Sequence, residues 1–334
     1  MKPLENRAGL SLAMAVWLAH DDYTSGQDEH PGENLITATA LLRPTRQIVL
    51  APRVPDAERS ADVGDRVAMR FGHAIHDSIE MAWRRGYRQA MTRLGYPRRT
   101  IDRVRINPCA TAAREEGIIP VYLEQRAFRP ITVDGVRVIV SGKFDQVIDG
   151  ELNDTKTTSV HAWINRTKED DYRIQGSIYR WLNPERITSD IMRVQHVFTD
   201  WQGFRARSDP DYPPGRLVEF PLTLMSLAQT EAWIARKIRE ILANQDLPEP
   251  EILRCTDREL WRAEPVFKYY ADPEKAQAGG RSTRNFPDHA AAAAHAAKQG
   301  KGVVVTVPGR VRACGYCPAF PACSQKDAYE HGEP

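Results

Sequence analysis

The spacing of apolar residues along the chain predicts an alternation of helices and strands. Between residues 66 and 93 they recur every three or four positions, which indicates one face of an amphipathic helix. The members of that face are Val67, Ala68, Phe71, Ile75, Ile79 and Trp83. β-rich segments follow the helix, and they predict strands at 119–128, 135–148 and 150–158.

The remaining pattern completes an α/β order. Helices are predicted at 171–183 and 224–244, with a strand at 191–200 between them. A short alanine-rich helix is predicted near the C-terminus, and LSLAMAVWLA predicts a buried N-terminal helix. An order of helix, strands, helix and strand favours a mixed central sheet flanked by helices.

A hairpin is predicted around Asp149 and Gly150, a strong two-residue turn signal between β-rich segments. With that turn, Asp145 faces Asp154 across the hairpin, with Cβ atoms about 4.5–5.5 Å apart. Like charges in that position destabilise a sheet unless a positive group lies between them. Side chains alternate along a strand, so Lys156 lies on the same face as Asp154.

Two interpretations of this hairpin remain open. The first is a surface ladder of charges, in which Lys143 on the same face balances the two carboxylates. The second is a divalent-metal site, since paired carboxylates bind hard cations such as Mg²⁺ or Mn²⁺. Such a metal polarises a phosphodiester and lowers the pKa of bound water, and Lys156 orients that water or stabilises charge on the phosphate.

Other polar residues are candidates for the same site. His76 lies on the long helix, one turn after Gly72, and a glycine inside a helix suggests a close backbone approach. Glu124 lies in the strand before the hairpin. Gln175 and Tyr179 are four residues apart on a predicted helix and share one face. Each of them also fits an ordinary surface or core position.

Taken in order, these motifs resemble those of the RecB-type nucleases, a branch of the PD-(D/E)XK superfamily. GxxxH, a glutamate, GxxD, DxK and QxxxY follow one another over about residues 66–183. Aspartate replaces glutamate in the DxK triplet, a change that the superfamily pattern permits. The resemblance implies a restriction-endonuclease-like core at 61–205, between an N-terminal helical extension at 1–60 and a C-terminal region at 206–334.

The resemblance also implies a role for each matching residue. His76, Asp145 and Asp154 would bind Mg²⁺ or Mn²⁺, and the carbonyl of Thr155 is a further candidate ligand. Glu124 would support the site and Lys156 would be catalytic. The residues that would contact DNA are Gln175 and Tyr179.

Cysteines form a second candidate metal site. Cys314, Cys317 and Cys323 lie within ten residues, and Cys255 is the best candidate for a fourth ligand. Cys109 is left as a spare thiol. Four thiolates fit either a structural zinc ion or an iron–sulfur cluster.

The resemblance favours the iron–sulfur cluster. Several RecB-type nucleases carry a four-iron cluster, held by one distant cysteine and three near the C-terminus. In those proteins the distant cysteine precedes the catalytic core. Here the comparable stretch, ITATALLRPTRQIVL, has no cysteine, and Cys255 follows the core instead. The predicted cluster would attach the C-terminal region to the nuclease fold.

The distribution of charge and the absence of certain motifs bear on which partners and functions the sequence favours. The net charge is only +2, but residues 84–105 contain eight arginines and a single acid. This run fits either a solvated surface or a patch that follows DNA phosphates. No apolar run reaches the length of a membrane span, and no phosphate-binding GxxxxGK[ST] motif is present. We therefore expect a cytoplasmic protein of a bacterium or a phage-infected cell.

The predicted function is metal-dependent hydrolysis of DNA, with exonuclease action at DNA ends in recombination, repair or phage DNA processing. A recombinase or a single-strand-annealing protein is the expected partner. One alternative is a catalytically silent protein that binds DNA ends or acts as an adaptor. Another is a structural metalloprotein, for which Asp145 and Asp154 would point into solvent, far from His76.

Overall fold

The computed structural model describes residues 4–21, 26–56, 62–109 and 111–330. The chain forms two compact units, of which the first contains residues 1–42 and 60–239. The second contains residues 43–59 and 240–334. Within the described ranges, no helix is long and apolar enough to cross a membrane.

The helices are numbered in chain order, and α4 and α5 are joined by a π-helical turn at Ala82–Gly86. Their bounds are α1 Leu12–Ala19, α2 Ala38–Leu41, α3 Thr45–Leu50, α4 Val67–Met81, α5 Tyr87–Arg93, α6 Arg98–Ile101, α7 Val160–Ile164, α8 Glu169–Leu182, α9 Gly203–Ser208, α10 Leu227–Asn244, α11 Pro273–Gln277, α12 His289–Gln299 and α13 Asp327–Glu330. The predicted helices at 66–93, 171–183 and 224–244 are confirmed.

A mixed seven-stranded sheet forms the centre of the first unit. Its strands are β1 Leu35–Thr37, β2 Val104–Ile106, β3 Ile119–Val133, β4 Val136–Ile148, β5 Glu151–Thr158, β6 Ile191–Phe198 and β7 Leu217–Thr223. They follow the order β2-β3-β4-β5-β6-β7, with β1 paired to β4. The pairs β1–β4, β2–β3 and β5–β6 are parallel and the other pairs are antiparallel. The predicted mixed sheet flanked by helices is therefore confirmed.

The boundaries of the two units differ from the predicted division of the chain into 1–60, 61–205 and 206–334. Strand β1 belongs to the central sheet, although it lies in the predicted helical extension. Strand β7 and the part of α10 up to Arg239 belong to the first unit, although they were predicted in the C-terminal region. The proline within β7 weakens its strand signal, and such prolines occur at sheet edges. The predicted boundary after residue 60 lies outside the described residues.

Helix α1 corrects the prediction of a buried N-terminal helix. Only Leu18 is buried, whereas the side chain of Leu12 is 79 % exposed. Trp17 makes an edge contact with Phe71 of α4, with ring centroids 6.2 Å apart. The helix is apolar around most of its circumference, and its contacts with α4 and with the turn at Val63–Arg66 leave much of that surface exposed.

The second unit contains a small antiparallel sheet that the apolar pattern did not predict. Its strands are β8 Val266–Tyr270, β9 Arg284–Phe286 and β10 Val303–Val307, in the order β10-β8-β9. Away from this sheet, Val49 and Leu50 of α3 pack with Ile252 and Ala319 in an apolar cluster. The cluster also contacts Cys317 and Cys323, so α3 lies against the cysteine region within this unit.

Strand β4 changes its partner along one edge, and this change opens the sheet at the candidate site. Residues 139–141 pair with β1, and residues 146–148 pair with β5. Gly142 lies in the interval between them, where α8 approaches closely. A Cβ atom on Gly142 would lie 2.7 Å from Leu182 Cδ1 and 3.0 Å from Tyr179 Cδ1. The glycine of the GxxD motif therefore allows α8 to pack on the strand.

Gly72 differs from Gly142, because a Cβ atom added there would have no neighbour within 4 Å. The close approach predicted for Gly72 is therefore not found.

We expect Gly142→Ala to lower the free energy of unfolding by about 1–3 kcal/mol, as overpacking does. Gly72→Ala should raise it by about 1 kcal/mol, because alanine is the better helix former. Chemical denaturation of both variants measures this contrast, and an equal effect at the two positions would contradict it.

Candidate active site

Three side chains from separate elements converge at the opening of the sheet. His76 of α4, Glu124 of β3 and Asp145 of β4 each offer a ligand atom within 4.8 Å of the other two. His76 Nδ1 lies 3.5 Å from both Glu124 Oε1 and Asp145 Oδ1. His76 Nε2 lies 3.1 Å from the carbonyl oxygen of Thr155. Across the described ranges, no other group of three or more His, Cys, Asp or Glu side chains is this close.

Glu124 has an unusual backbone for a residue inside a strand. Its φ is 51°, although Leu123 pairs with Gln146 and Gln125 pairs with Phe144 on either side of it. Left-handed backbone is uncommon for residues other than glycine, and such strain concentrates at functional sites. The sequence predicted Glu124 as part of the site but gave no signal for this conformation.

The predicted hairpin is confirmed for its turn and its first three pairs. Gln146 pairs with Asn153, and the two following pairs lead to the turn. The predicted fourth pair, between Asp145 and Asp154, is not formed. Instead, Asp145 Oδ2 accepts a hydrogen bond of 2.9 Å from the backbone N–H of Thr155. Ending the ladder here gives the Asp145 carboxylate a donor in place of a directly facing like charge.

Asp154 is the most deeply buried carboxylate of the site, with 1 % of its side chain exposed. Lys156 Nζ lies 2.7 Å from Asp154 Oδ2, so the two form a buried ion pair. Asp154 Oδ1 has no hydrogen-bond partner within the described residues. A buried carboxylate is costly unless a cation compensates it, and here the Lys156 ammonium is that cation. Asp154 lies outside the converging group of three and next to the ammonium of Lys156.

A chain of polar contacts joins Lys156 to helix α8. Its ammonium donates to Gln175 Oε1 at 3.1 Å, and Gln175 Nε2 donates to the Tyr179 hydroxyl at 2.8 Å. The structure therefore brings together the predicted lysine, glutamine and tyrosine. Tyr172 was missed, although it lies three residues before Gln175 on the helix. The Lys156 ammonium lies 5.6 Å from the centre of the Tyr172 ring.

His76 and Asp145 have strongly shifted pKa values. Burial opposes protonation of His76, but the hydrogen bond to Glu124 and the charge of Asp145 outweigh it and raise its pKa to about 9. Burial and repulsion by Asp154 raise the pKa of Asp145 to about 7, against the attraction of His76 and Lys156. The repulsion between the carboxylates of Asp145 and Asp154 is therefore only partly offset by the nearby cations His76 and Lys156.

Glu124 and Lys156 are held in their charged forms. Burial of Glu124 is outweighed by His76 and by Lys143, whose Nζ lies 2.6 Å from Glu124 Oε2, and the pKa of Glu124 is lowered. Burial of Lys156 is outweighed by Asp154 and Asp145, so its pKa lies above the ordinary lysine value. Burial raises the pKa of Tyr179 as well, which keeps its hydroxyl protonated as a hydrogen-bond donor.

His196 is a second residue that the sequence did not indicate. It pairs with Lys156 between β5 and β6, and neither of its ring nitrogens has a hydrogen-bond partner. Burial lowers its pKa to about 4, so the ring is neutral. Trp163 and Tyr172 contact the ring, with centroids 6.0 Å and 5.7 Å away. The wall beside Lys156 is therefore aromatic and uncharged.

The donor set of the site fits a hard divalent cation. His76, Glu124, Asp145 and Asp154 offer one imidazole and three carboxylates, and carboxylate oxygen suits Mg²⁺ and Mn²⁺. The buried oxygens of Asp154 lack any other donor, which supports the same conclusion. The predicted ligands His76, Asp145 and Asp154 thus lie in one region, and Glu124 joins the ligand group directly.

The four predicted cluster cysteines line one cavity of the second unit. Cys255, Cys314, Cys317 and Cys323 all contribute to it, whereas Cys109 is exposed elsewhere. In the part of the chain that the structure describes, no three cysteine sulfurs lie within 4.8 Å of one another. The four thiols thus surround one cavity without forming a close group of three.

Comparisons with known proteins add little to this geometry. No protein-family model matches the chain, and no curated protein matches it. Among solved structures, SSO0001 has a TM-score of 0.42 and 15% identity, over 71% of this chain and 89% of its own. Scheffersomyces stipitis Rai1 in complex with (3'-NADP)+ and calcium ion has a TM-score of 0.22 and 10% identity, over 73% and 68% of the two chains. Similarities this weak carry no functional argument. The fold and site define a mixed α/β protein with a candidate divalent-metal centre.

Asp145→Asn removes one of the buried carboxylates and so tests whether the ionisation of Asp145 destabilises the metal-free fold. Because the folded pKa of Asp145 is raised from 3.8 to about 7, its ionisation opposes folding, and the cost grows as the pH rises between these values. We expect the metal-free variant to be more stable than the wild type at pH 8, by roughly 2 kcal/mol, and nearly equal at pH 4. Asparagine keeps an acceptor for the Thr155 N–H.

Thermal unfolding at pH 4 and pH 8, with and without Mn²⁺, measures the stability of the variant and its response to the metal. The wild type should gain stability from Mn²⁺, and the Asp145→Asn variant should gain much less, because it has lost a ligand. Glu151→Gln serves as the control, because it breaks an ion pair with Arg193 between the neighbouring strands β5 and β6. A metal-free variant that is less stable than the wild type at pH 8 would contradict the prediction.

Proposed function

We propose that this protein is a metal-dependent DNA nuclease with a PD-(D/E)XK core of the RecB type, which hydrolyses phosphodiester bonds at DNA ends. One observation carries the proposal. The group formed by His76, Glu124 and Asp145 lies beside a buried Asp154–Lys156 ion pair, in which Asp154 Oδ1 has no hydrogen-bond donor among the described residues. A surface ladder of charges would instead leave the carboxylates exposed and solvated, and would not need His76.

The residues divide into metal ligands and groups that act on the phosphate. His76, Asp145 and Asp154 would hold Mg²⁺ or Mn²⁺, with Glu124 in the same group and the Thr155 carbonyl nearby. When bound, the cation supplies Lewis acidity, which polarises the phosphodiester and lowers the pKa of a water molecule. The protein itself contributes a fixed arrangement of charge that does not reorganise during the reaction.

Lys156 is the residue that we assign to the transition state. The charges of Asp154 and Asp145 outweigh burial and raise its pKa in the metal-free site, and we assign the ammonium the role of a cation beside the phosphate. A charged ammonium stabilises negative charge that develops on the phosphate oxygens, and it orients the attacking water. Gln175 and Tyr179 hold the ammonium through their hydrogen bonds and offer polar groups to DNA.

A surface for DNA adjoins the proposed site along one helix. The arginine-rich run 84–105 begins in the π-helical turn that follows α4, the helix that carries His76. From His76 to Arg93 the chain advances 17 residues, about 25 Å at the rise of a helix. Arg85 and Arg93 are exposed on this stretch, and Arg99 is exposed on α6 beyond it. Exposed guanidinium groups of this kind suit the phosphates of a DNA strand that leads to the metal.

The cysteine cavity supports a second cofactor, a four-iron cluster held by Cys255, Cys314, Cys317 and Cys323. The proposal rests on the four thiols that line one cavity, since thiolates are the ligands of such a cluster. The cluster would have a structural role in the second unit. The DNA product of an end-resecting nuclease is single-stranded, so a recombinase or an annealing protein is the partner that we propose.

Lys156→Ala tests the nuclease assignment. We expect the wild type to degrade end-labelled single- or double-stranded DNA in Mg²⁺ or Mn²⁺, and the variant to be about 100- to 1,000-fold slower. The loss should fall on kcat, because the ammonium acts on charge that appears in the transition state. Time courses on linear and circular DNA also separate exonuclease from endonuclease action.

Arg193→Ala is the matched control, because it removes a cation from the same pair of strands. Its partner there is Glu151 on the surface, away from the phosphate-binding side chains. Arg193→Ala should cleave at the wild-type rate. A wild type that binds DNA ends but never cleaves them would support a silent end-binding protein instead. If Lys156→Ala and the wild type cleave DNA at equal rates, the catalytic role proposed for Lys156 is wrong.

A further inference from the structure

A buried arginine lies among the cysteines of the second unit. Arg46 belongs to α3, more than 200 residues before the first cluster cysteine, and its side chain is 3 % exposed. Its Nε lies 3.1 Å from Cys323 Sγ and donates a hydrogen bond to that sulfur. Arg46 also lines the cavity that the four cysteines share. An arginine almost never occupies so buried a position without a charged partner.

The remaining contacts of Arg46 hold the guanidinium rigidly. Nη1 donates to the carbonyl oxygens of Ile252 at 2.8 Å and Glu249 at 3.3 Å, and Nη2 forms an ion pair with the Glu249 carboxylate. Glu249 in turn accepts hydrogen bonds from the backbone N–H and hydroxyl of Ser324, next to Cys323. The guanidinium plane is therefore fixed, and its Nε–H is aimed at one sulfur.

A second set of contacts fixes Cys255 on the same cavity. The buried side chain of Gln325 accepts from the backbone N–H of Cys255 at 2.8 Å and donates to its carbonyl oxygen at 2.9 Å. Cys323 and Cys255 are therefore each held by a buried polar side chain, Arg46 and Gln325 respectively, and of these two side chains only Arg46 carries a charge.

We propose that Arg46 is a positioning residue of the four-cysteine site, which donates its Nε–H to the Cys323 thiolate and offsets the negative charge of the bound cluster. The inference rests on the iron–sulfur cluster of the proposed function. It is independent of the nuclease chemistry, which involves other residues. It assigns a role to a residue of the segment that has no cysteine of its own.

The chemistry of the guanidinium explains why an arginine is needed. Hydrogen bonds to the cysteine sulfurs and the net charge around a cluster both set its reduction potential. Arginine can bind a sulfur with Nε–H while its terminal nitrogens bind carbonyl and carboxylate oxygens, because its donors form a fixed fork. Lysine supplies the charge without that fork. Removing Arg46 should therefore favour the oxidised cluster and loosen the hold on Cys323.

A merely structural role for Arg46 is the competing explanation, and Arg53 provides the control. Arg53 lies in the same segment and donates to the carbonyl oxygens of Leu247 at 2.8 Å and Gln245 at 2.6 Å. Arg53 thus joins parts of the same unit, and neither of these two hydrogen bonds involves a sulfur. Its contacts are exposed whereas those of Arg46 are buried, so Arg53→Gln controls for the loss of an arginine from this segment while the cysteine site keeps Arg46.

The experiment uses the full chain, purified anaerobically and reconstituted with iron and sulfide. Iron content, the midpoint potential from a redox titration followed by electron paramagnetic resonance, and the rate of iron loss to a chelator are measured for wild type, Arg46→Gln, Arg46→Lys and Arg53→Gln. We expect Arg46→Gln to have a more negative potential and to lose iron several-fold faster. Arg46→Lys should fall between Arg46→Gln and the wild type, and Arg53→Gln should match the wild type.

Other results would overturn the inference. If Arg46→Gln keeps the wild-type potential and rate of iron loss, the hydrogen bond to Cys323 has no effect on the cluster. Equal shifts in Arg53→Gln would show a structural effect alone. If Arg46→Gln does not fold, Arg46→Lys carries the same comparison. A wild type that holds zinc instead of iron refutes the cluster and, with it, the role assigned to Arg46. A wild type without metal refutes the cluster and the role of Arg46 together, while the DNA cleavage assay still tests the nuclease separately.

Discussion

Crowding of negative charge at one end of a β-hairpin is the constraint on which the account of this protein depends. Asp145, Asp154 and Glu124 approach one another where burial already disfavours ionised carboxylates. His76, Lys156 and Lys143 supply the positive charge, but Lys143 pairs with Glu124, and burial and repulsion by Asp154 still raise the pKa of Asp145. A fold keeps such an unfavourable arrangement when a bound cation relieves it, and strain of this kind is typical of functional sites.

The sheet produces this crowding through one local irregularity. Strand β4 leaves β1 and joins β5 further along, and Asp145 lies in the interval between them. Glu124, opposite this interval, adopts a left-handed backbone. Gly142 allows α8 to come close enough for Gln175 to reach Lys156. Carboxylates, lysine and helix are therefore placed by backbone geometry before any ligand binds, which is what preorganised electrostatics requires.

Local signals predicted much of this arrangement, and long-range pairing accounts for what they missed. The turn at Asp149 and Gly150 gave the correct register for three pairs, and helical spacing placed His76 and Gln175 correctly. The separation of Asp145 from Asp154 was not predictable, because it depends on β1, which is about 100 residues away. The assignment of Arg46 to the cysteine region had no sequence signal either, since it follows from how a distant helix folds back within the second unit.

Anomalous diffraction from crystals soaked in Mn²⁺ tests the central claim most directly, because it locates the cation without relying on activity. The account predicts a single strong peak within coordination distance of His76 and Asp145, with the Asp154 carboxylate facing it. A peak at another carboxylate cluster, or none at this site at concentrations that support DNA cleavage, would contradict the account. In that case, the crowded carboxylates would be an ion-pair network and not a metal centre.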